Sequence, residues 1–254
     1  MSINNNHIDI VKTHFDINSQ VWKDLYHNFK KSNDIVLSNR KDISVAFLCK
    51  YLEHNSKILD AGCGAGMVAM DIVQKGFFVH GIDISPKMIE LCNQTFSQKE
   101  IDASKYFFSV GDLVDMDFPD NSFDGIMALG FLEYQKDEHE TLQRFRKIIR
   151  PGGVLICSGP TKIRLSNYFR LRPKKVSKSI SINKYSLSRF KMLMKHNGFN
   201  VIDYKRHGYS NFMNLNRFFG PKGDFLLYRI FTKLSTFLPL GRWANDIIVV
   251  AVKQ

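Results

Sequence analysis

Short apolar runs alternate with amphipathic runs through the middle of the chain. The apolar runs cover residues 57–60, 77–83, 106–111, 123–129 and 153–157. Short apolar runs of this kind are typical of strands buried on both faces of a parallel sheet. Their alternation with helical patterns predicts right-handed βαβ units, and therefore an α/β fold with a mostly parallel sheet.

Three helices are predicted between these strands. The first spans Met67 to Gln74, and the second spans Ser85 to Phe96, with a serine cap and a proline in its first turn. The third begins after Asp137, runs through Ile149 and places its apolar residues on one face. We expect Pro151 and the glycine after it to end that helix.

Both ends of the chain carry additions to this pattern. Ile35 to Leu52 is the strongest helix candidate in the N-terminal segment, and Phe15 to Tyr26 is a shorter amphipathic one. Asn200 to Arg206 and Asp246 to Val252 are predicted to form a final antiparallel pair of strands. The 39 residues between them are too many for a hairpin turn, which predicts an inserted cap before the last strand.

The first predicted strand runs directly into a glycine-rich turn. Asp60 is followed by Gly62, Gly64 and Gly66, and a helix begins at once. Glycines without Cβ atoms let a ligand approach the backbone, and the first amides of the helix face the same space. A second strand ends in Asp83, 17 residues after the last glycine, where a carboxylate can accept hydrogen bonds from both ribose hydroxyls. The spacing differs from the G-x-G-x-x-G fingerprint, which disfavours a nicotinamide dinucleotide.

Residues 57 to 160 resemble the class I S-adenosylmethionine-dependent methyltransferases, in the branch of ubiquinone-type and other small-molecule enzymes. The resemblance rests on an ordered set of segments: DAGCGAG from Asp60, GIDISPKMI from Gly81, VGDL from Val110, FPDNSFDGIMALGFLEY from Phe118 and RPGG from Arg150. It implies a Rossmann-like seven-stranded sheet with an antiparallel final strand. It also implies S-adenosylmethionine as co-substrate, without a metal.

The resemblance also implies a set of cofactor-binding residues. Asp60 and the glycines would border the methionine part, Asp83 would hold the ribose, and Asp112 with Leu113 would contact the adenine. An N-terminal flap would fold over the cofactor, where Trp22 and Tyr26 would shield the sulfonium, unless both aromatic residues only anchor a helix to the core. The whole predicted set is Tyr26, Asp60, Gly62, Cys63, Gly64, Asp83, Ile84, Met88, Gly111, Asp112, Leu113 and Leu129.

The domain organisation follows from the same family resemblance. Residues 1–56 would form the helical flap, residues 57–160 the S-adenosylmethionine-binding core, and residues 161–254 a basic substrate-cap region with the final strands, all within one domain. At 254 residues the chain is long enough to bury one full core.

Positive charge is concentrated in the cap region. Half of the 36 Lys and Arg residues lie between residues 161 and 243, together with only two of the 24 acidic residues, Asp203 and Asp224. This asymmetry indicates an acidic partner: an anionic small molecule, an anionic membrane surface, a carrier protein or RNA. A surface that only confers solubility is the alternative.

Two segments of the cap region are candidates for acceptor binding. The loop from Lys162 to Lys184 interleaves basic residues with Tyr168 and Phe169, which suits nucleic acid or one anionic small substrate. Asp224 to Leu238 predicts a helix with a wide apolar face. That face would cover the protein core, an oily substrate or a membrane interface, in that order of expectation.

Methyl transfer from a sulfonium requires alignment and exclusion of water rather than a covalent enzyme residue. A protic acceptor still needs a base. Glu133 and the adjacent Tyr134 follow the fourth strand, where the resemblance implies a group that faces the methyl, so we predict them as catalytic residues. Glu133 could instead cap the next helix or bind the basic loop.

Several other functions are disfavoured by the sequence. The four cysteines and eight histidines show no metal-ligand spacing and no disulfide framework, and no signal-peptide or membrane-spanning pattern is visible, so we expect a cytoplasmic protein without a metal. The predicted function is methyl transfer to the oxygen or carbon of a small anionic or amphiphilic acceptor. Alternatives are a lipid methyltransferase with peripheral membrane contact, an RNA methyltransferase and a cofactor-binding protein without catalysis.

Overall fold

The structure is a computed structural model. It describes residues 2–25, 32–162, 182–208, 223, 226, 228–230, 232–234 and 244–254. The helices are α1 (Ser2–Ile17), α2 (Ser19–Leu25), α3 (Ser32–Tyr51), α4 (Met67–Gln74), α5 (Pro86–Gln98), α6 (Glu138–Ile148) and α7 (Leu187–His196). The strands are β1 (Lys57–Ala61), β2 (Phe78–Asp83), β3 (Tyr106–Val110), β4 (Phe123–Ala128), β5 (Ile149–Pro160), β6 (Phe199–His207) and β7 (Asp246–Lys253).

The seven strands form one sheet in the order β3-β2-β1-β4-β5-β7-β6. Neighbouring strands from β3 to β5 are parallel, and β7 is antiparallel to both β5 and β6. The predicted fold class, including the antiparallel final strand, is therefore confirmed. Because the chain moves outward from β1 to β3 and then returns to β4 on the other side of β1, the carboxyl ends of β1 and β4 border a topological switch point.

Each face of the sheet carries its own apolar core. One core lies under α6 and α7 and contains Phe145, Phe190 and Leu59. The other lies under α3, α4 and α5 and contains Leu48, Ile72 and Phe96. Both faces are covered, so the inner strands β1, β4 and β7 are buried along most of their length, whereas the edge strands β3 and β6 are partly exposed.

Helix boundaries follow local capping signals where these exist. Ser85 accepts a hydrogen bond from the backbone N of Met88 at 3.1 Å, and Pro86 occupies the first helical position of α5. Asp137 caps α6 through the N atoms of His139 and Glu140. These are the caps that the sequence predicts.

The structure differs from the sequence prediction in two places. The N-terminal segment forms two helices, α1 and α2, that break at Asn18, instead of one piece from Phe15 to Tyr26. Strand β5 begins at Ile149, so it runs through the Pro-Gly-Gly segment that was expected only to end a helix. A register irregularity in the pairing with β4, between Phe123 and Gly125, accompanies that extra length.

Part of the predicted helix at Asp224 to Leu238 lies within the described residues. Tyr228 is buried, and its hydroxyl oxygen accepts a hydrogen bond from the side-chain amide of Asn39 on α3. Leu226, Ile230 and Leu234, spaced by four residues, are exposed. This stripe faces away from the core, so the expectation that the apolar face mainly packs on the core is wrong for these three residues. None of the described helices is both long enough and apolar enough to cross a bilayer.

Candidate active site

A cavity of about 880 Å³ opens at the carboxyl ends of the parallel strands. Its walls include the ends of β1, β2 and β4, together with α1 and the first turns of α3. It therefore lies at the switch point, where open α/β sheets bind their ligands.

The glycine turn after β1 forms one wall of this cavity. Gly62, Gly64 and Gly66 all have positive φ angles, 71°, 54° and 81°. A Cβ atom on Gly62 would lie 2.8 Å from the ring of Phe131, and one on Gly66 would lie 2.9 Å from the Sγ atom of Cys92. A Cβ atom on Gly64 would meet no protein atom within 4 Å. The space beside Gly64 therefore belongs to the cavity, and the other two glycines are needed for packing.

Asp83, the last residue of β2, holds this turn in place. Its Oδ2 atom accepts a hydrogen bond from the backbone N of Gly64, and its Oδ1 atom accepts one from the backbone N of Ser85, both at 2.9 Å. Burial nevertheless raises the pKa of Asp83 to about 6, against the effect of the two hydrogen bonds. Each carboxylate oxygen has a second lone pair, so the group can still accept from a ligand.

Asp60 lies deeper in the same wall. Its side chain is buried, and its Oδ2 atom has no hydrogen-bond partner among the described residues. Burial, followed by the charge of Asp83, raises the pKa of Asp60 to about 7. Two buried carboxyls side by side create a site that favours a positively charged ligand.

The end of β3 supplies another part of the cavity. Gly111, Asp112 and Leu113 line it, and the Oδ1 atom of Asp112 accepts a hydrogen bond from the backbone N of Val114 at 3.2 Å. Burial raises the pKa of Asp112. Cys63 lines the cavity beside the glycine turn, and burial raises the pKa of its thiol well above the usual value, so it remains an unreactive thiol.

Helix α1 covers the cavity on the solvent side. His7 Nε2 donates to the carbonyl oxygen of Tyr134 at 2.9 Å, and the hydroxyl of Ser85 donates to Asp16 Oδ1 at 2.5 Å. Between these two attachments, the Phe15 ring packs against the rings of Trp22 and Tyr134. Trp22 lines the cavity as expected, whereas Tyr26 lies outside the described residues.

Glu133 and Tyr134 lie on a short 3-10 helix, Leu132–Tyr134, after β4. Both line the cavity. Glu133 is 8% exposed, and its carbonyl oxygen accepts a hydrogen bond from the backbone N of Asn183 at 2.9 Å. Burial, followed by the nearby charge of Glu133, raises the pKa of the Tyr134 phenol to about 12. Tyr134 is therefore a neutral hydrogen-bond donor at ordinary pH.

The structure brings every described member of the predicted set to this one cavity. They are Asp60, Gly62, Cys63, Gly64, Asp83, Ile84, Met88, Gly111, Asp112, Leu113, Leu129, Glu133 and Tyr134. Four further residues line it that no sequence pattern identified: Phe15, Val36, Arg40 and Asp246. Asp246 could have been found, because the first residue of an antiparallel last strand must lie at the carboxyl edge of its parallel neighbours. Arg40 carries no sequence signal, since a single arginine on a helix is usually a surface residue.

Residues 59–157 match the family model described as a methyltransferase domain. The chain carries a class I S-adenosylmethionine-dependent methyltransferase domain. A ubiquinone biosynthesis O-methyltransferase from Alkalilimnicola ehrlichii is 28% identical over 144 residues, which cover 57% of this chain and 56% of that protein. A sterol 24-C-methyltransferase from Gibberella zeae is 33% identical over 111 residues, covering 41% of this chain and 29% of that protein. The chain spans 29% to 59% of the length of four such curated relatives.

Solved structures share the fold over nearly the whole chain. The structure of magnesium protoporphyrin IX methyltransferase from Synechocystis with bound S-adenosylhomocysteine (SAH) has a TM-score of 0.72 at 17% identity. The match covers 97% of this chain and 99% of that chain. The [4+2]-cyclase SpnF has a TM-score of 0.69 at 16% identity, with 96% and 95% covered. At these identities the likeness shows the fold alone.

Proposed function

We propose that this protein is an S-adenosylmethionine-dependent methyltransferase that acts on a small acceptor. The observation that carries the proposal is the open space beside Gly64. It lies at the switch point, is bordered by the carboxyls of Asp60 and Asp83, and is continuous with the cavity wall that holds Glu133 and Tyr134. One cavity thus adjoins both the nucleotide-type turn and a candidate base.

The residues at this turn fit S-adenosylmethionine. The cofactor carries a positive sulfonium and a positive ammonium, and the wall beside Gly64 offers buried carboxyls whose charge a cation would stabilise. In our assignment Asp83 binds the ribose hydroxyls, Asp112 and Leu113 contact the adenine, and Asp60 and Gly62 border the methionine part. The other assigned lining residues are Cys63, Gly64, Ile84, Met88, Gly111 and Leu129, and Tyr26 is assigned on the family resemblance alone.

When bound, S-adenosylmethionine supplies an electrophilic methyl group, and the electron pair of the acceptor forms the new bond as the methyl–sulfur bond breaks. The protein's part is to align the acceptor and exclude water. Helix α1, fixed at His7 and Asp16, would exclude water. Glu133 would accept the proton that the acceptor loses, and the neutral phenol of Tyr134 would donate a hydrogen bond to the acceptor. We assign residues 1–56 as the flap, 57–160 as the cofactor domain and 161–254 as the acceptor cap.

We further propose an anionic or amphiphilic acceptor that is methylated on oxygen or carbon. The charge of residues 161–243 supports an acidic group. Relatives named for ubiquinone biosynthesis and for 27-O-demethylrifamycin SV support a small organic molecule. The four free cysteines fit a reducing, cytoplasmic location. A lipid acceptor at a membrane surface is the second candidate, and the exposed stripe of Leu226, Ile230 and Leu234 favours it.

The test combines binding with transfer. Calorimetry should show that the purified protein binds S-adenosylmethionine and its demethylated product, S-adenosylhomocysteine (SAH). Cell extract incubated with methyl-labelled cofactor should then yield one labelled product, and its partition between lipid, RNA, protein and metabolite fractions identifies the acceptor class. Binding without any transfer would instead indicate a protein that keeps the cofactor site for another use, and absence of binding would refute the proposal.

A further inference from the structure

Arg40 projects from α3 into the wall of the cavity that also contains Glu133 and Tyr134. Its side chain is 11% exposed. Among the described residues that line the cavity, the fixed positive charges are those of Arg40 and Lys136, and Lys136 lies at the exposed surface. An arginine at such a buried place costs desolvation energy, so its retention requires compensating contacts.

One compensating contact comes from the start of β7. The Nη1 atom of Arg40 lies 3.6 Å from Oδ2 of Asp246, whose side chain is also 11% exposed. The same Oδ2 atom lies 3.6 Å from Nε2 of His207, and the other carboxylate oxygen accepts a hydrogen bond from the backbone N of Ile247 at 3.0 Å. Apart from Arg40, Asp246 therefore has a backbone hydrogen bond from Ile247 and the ring of His207 beside it, which hold its carboxylate where it faces the guanidinium.

The backbone after β4 is shaped to admit the guanidinium. Gly130 has a φ of 65°, and a Cβ atom there would lie 3.0 Å from Nη1 and 3.4 Å from Nη2 of Arg40. The guanidinium therefore lies across the loop that leads to Glu133 and Tyr134. Its proximity is also visible in the phenol of Tyr134, whose pKa the charge of Arg40 lowers against the larger effects of burial and of Glu133.

We infer that Arg40, oriented by Asp246 and lying across Gly130, binds an ionised oxygen of the acceptor, a phenolate, enolate or carboxylate, beside Glu133 and Tyr134. The inference rests on the proposed methyltransferase function and specifies the acceptor as a molecule with an acidic hydroxyl or carboxyl group. A planar guanidinium is the side chain best suited to such an oxygen, because it offers directed charge-assisted hydrogen bonds in a partly dry site. Asp246 is a positioning residue in this account.

The experiment uses 4-nitrophenol, whose ionised form absorbs visible light, and its methyl ether 4-nitroanisole, which has nearly the same shape and cannot ionise. Both are titrated into the full chain saturated with SAH. The parent should bind the phenolate more tightly than the ether and should lower the apparent pKa of the bound phenol. Arg40→Gln should weaken phenolate binding by about tenfold or more while ether binding is unchanged. The phenolate affinity of Arg40→Lys should lie between those of the parent and Arg40→Gln. Lysine keeps the positive charge but lacks the planar set of N–H donors of the guanidinium.

Arg150→Gln is the matched control, because Arg150 forms a carboxylate pair with Asp124 on an exposed part of the fold. It should bind both probes like the parent. Calorimetry with SAH and a thermal melt on each variant separate this inference from the proposed function. If the parent binds the two probes equally or binds neither, or if folded, SAH-binding Arg40→Gln keeps the phenolate preference, the inference is overturned while the cofactor assignment stands. Failure of the parent to bind SAH would overturn the proposed function itself.

Discussion

The carboxylate of Asp83 accepts a hydrogen bond from the backbone N of Gly64 at 2.9 Å. The last residue of the second strand and the middle glycine of the turn after the first strand are therefore joined directly in one wall of the cavity. One side chain shapes the turn and also presents lone pairs to the cavity. Changes at either residue should consequently affect cofactor binding, for reasons that can be separated.

Replacement of Asp83 by alanine should weaken the binding of both S-adenosylmethionine and SAH. Under the proposed assignment the variant loses an acceptor for the ribose, and it also loses a support of the turn, so we expect a cost on the order of 1.5 to 3 kcal/mol, or about tenfold to a hundredfold in affinity. Calorimetry measures the change. Asp102→Ala is the control, because Asp102 also accepts from a backbone N, that of Ser104, but lies outside the cavity. Unchanged affinity in Asp83→Ala would remove Asp83 from the ribose site.

Replacement of Gly64 by alanine tests the open space beside the turn. The new methyl group would enter the cavity without touching the protein, so it should block the cofactor while adding only the strain of a left-handed alanine, about 1 kcal/mol. Gly152→Ala is a close match, since Gly152 has a φ of 72° and the same empty surroundings but does not line the cavity.

Both glycine variants should therefore lose similar amounts of stability in urea denaturation, and only Gly64→Ala should lose cofactor affinity in calorimetry. Equal cofactor affinity in the two variants would mean that the space beside Gly64 is not where the cofactor lies.

The buried carboxyls predict an unusual pH dependence of the ligand-free protein. The folded state holds the proton of Asp60 up to a pKa of about 7, and the unfolded chain releases it near pH 4. The folded state therefore binds more protons between these values, so its stability should fall as pH rises from about 4 to about 7 and should level off above that. Asp83, with a pKa of about 6, acts in the same direction.

Asp60→Asn isolates this effect because it removes the titrating group and keeps its shape. In urea denaturation without ligand, the variant should be more stable than the parent at pH 8, by an amount on the order of 4 kcal/mol, and should approach the parent near pH 4. It should also bind S-adenosylmethionine more weakly, because the carboxylate no longer faces the cationic ligand. A constant difference between variant and parent across this pH range would show that Asp60 keeps an ordinary pKa.

Much of the sheet and of the cofactor half of the site could be predicted from local patterns. The glycine turn and Asp83 are recognisable because backbone geometry requires particular residue types at fixed spacing, and the strands because burial on both faces makes them apolar. Helix α1 was missed at its start because its asparagine-rich first turns have weak helix propensity. Contacts distant in sequence, such as His7 to Tyr134, hold it instead.

The acceptor half was harder to predict for the same reason. Arg40 and Asp246 are 206 positions apart and meet only because β7 runs antiparallel to β5 and starts at the edge where the cavity lies. No pattern within either segment marks the pair. The loop from Lys162 to Lys184 falls largely outside the described residues, so its part in acceptor binding stays a prediction.

Glu133 provides the test of the chemistry itself. Glu133→Gln keeps the shape of the side chain and removes its ability to accept a proton. If Glu133 is the general base, turnover of the acceptor found in the labelled extract should fall by about 10² to 10⁴, with cofactor affinity close to that of the parent. Glu90→Gln, on the exposed face of α5, is the control and should change neither quantity.

Because Glu133 is buried, a thermal melt must first show that the Glu133→Gln variant is folded. Near-normal turnover in the folded variant would mean that alignment alone suffices or that another group takes the proton. A loss of SAH binding equal to the loss of rate would instead make Glu133 a structural support of the cavity rather than a base.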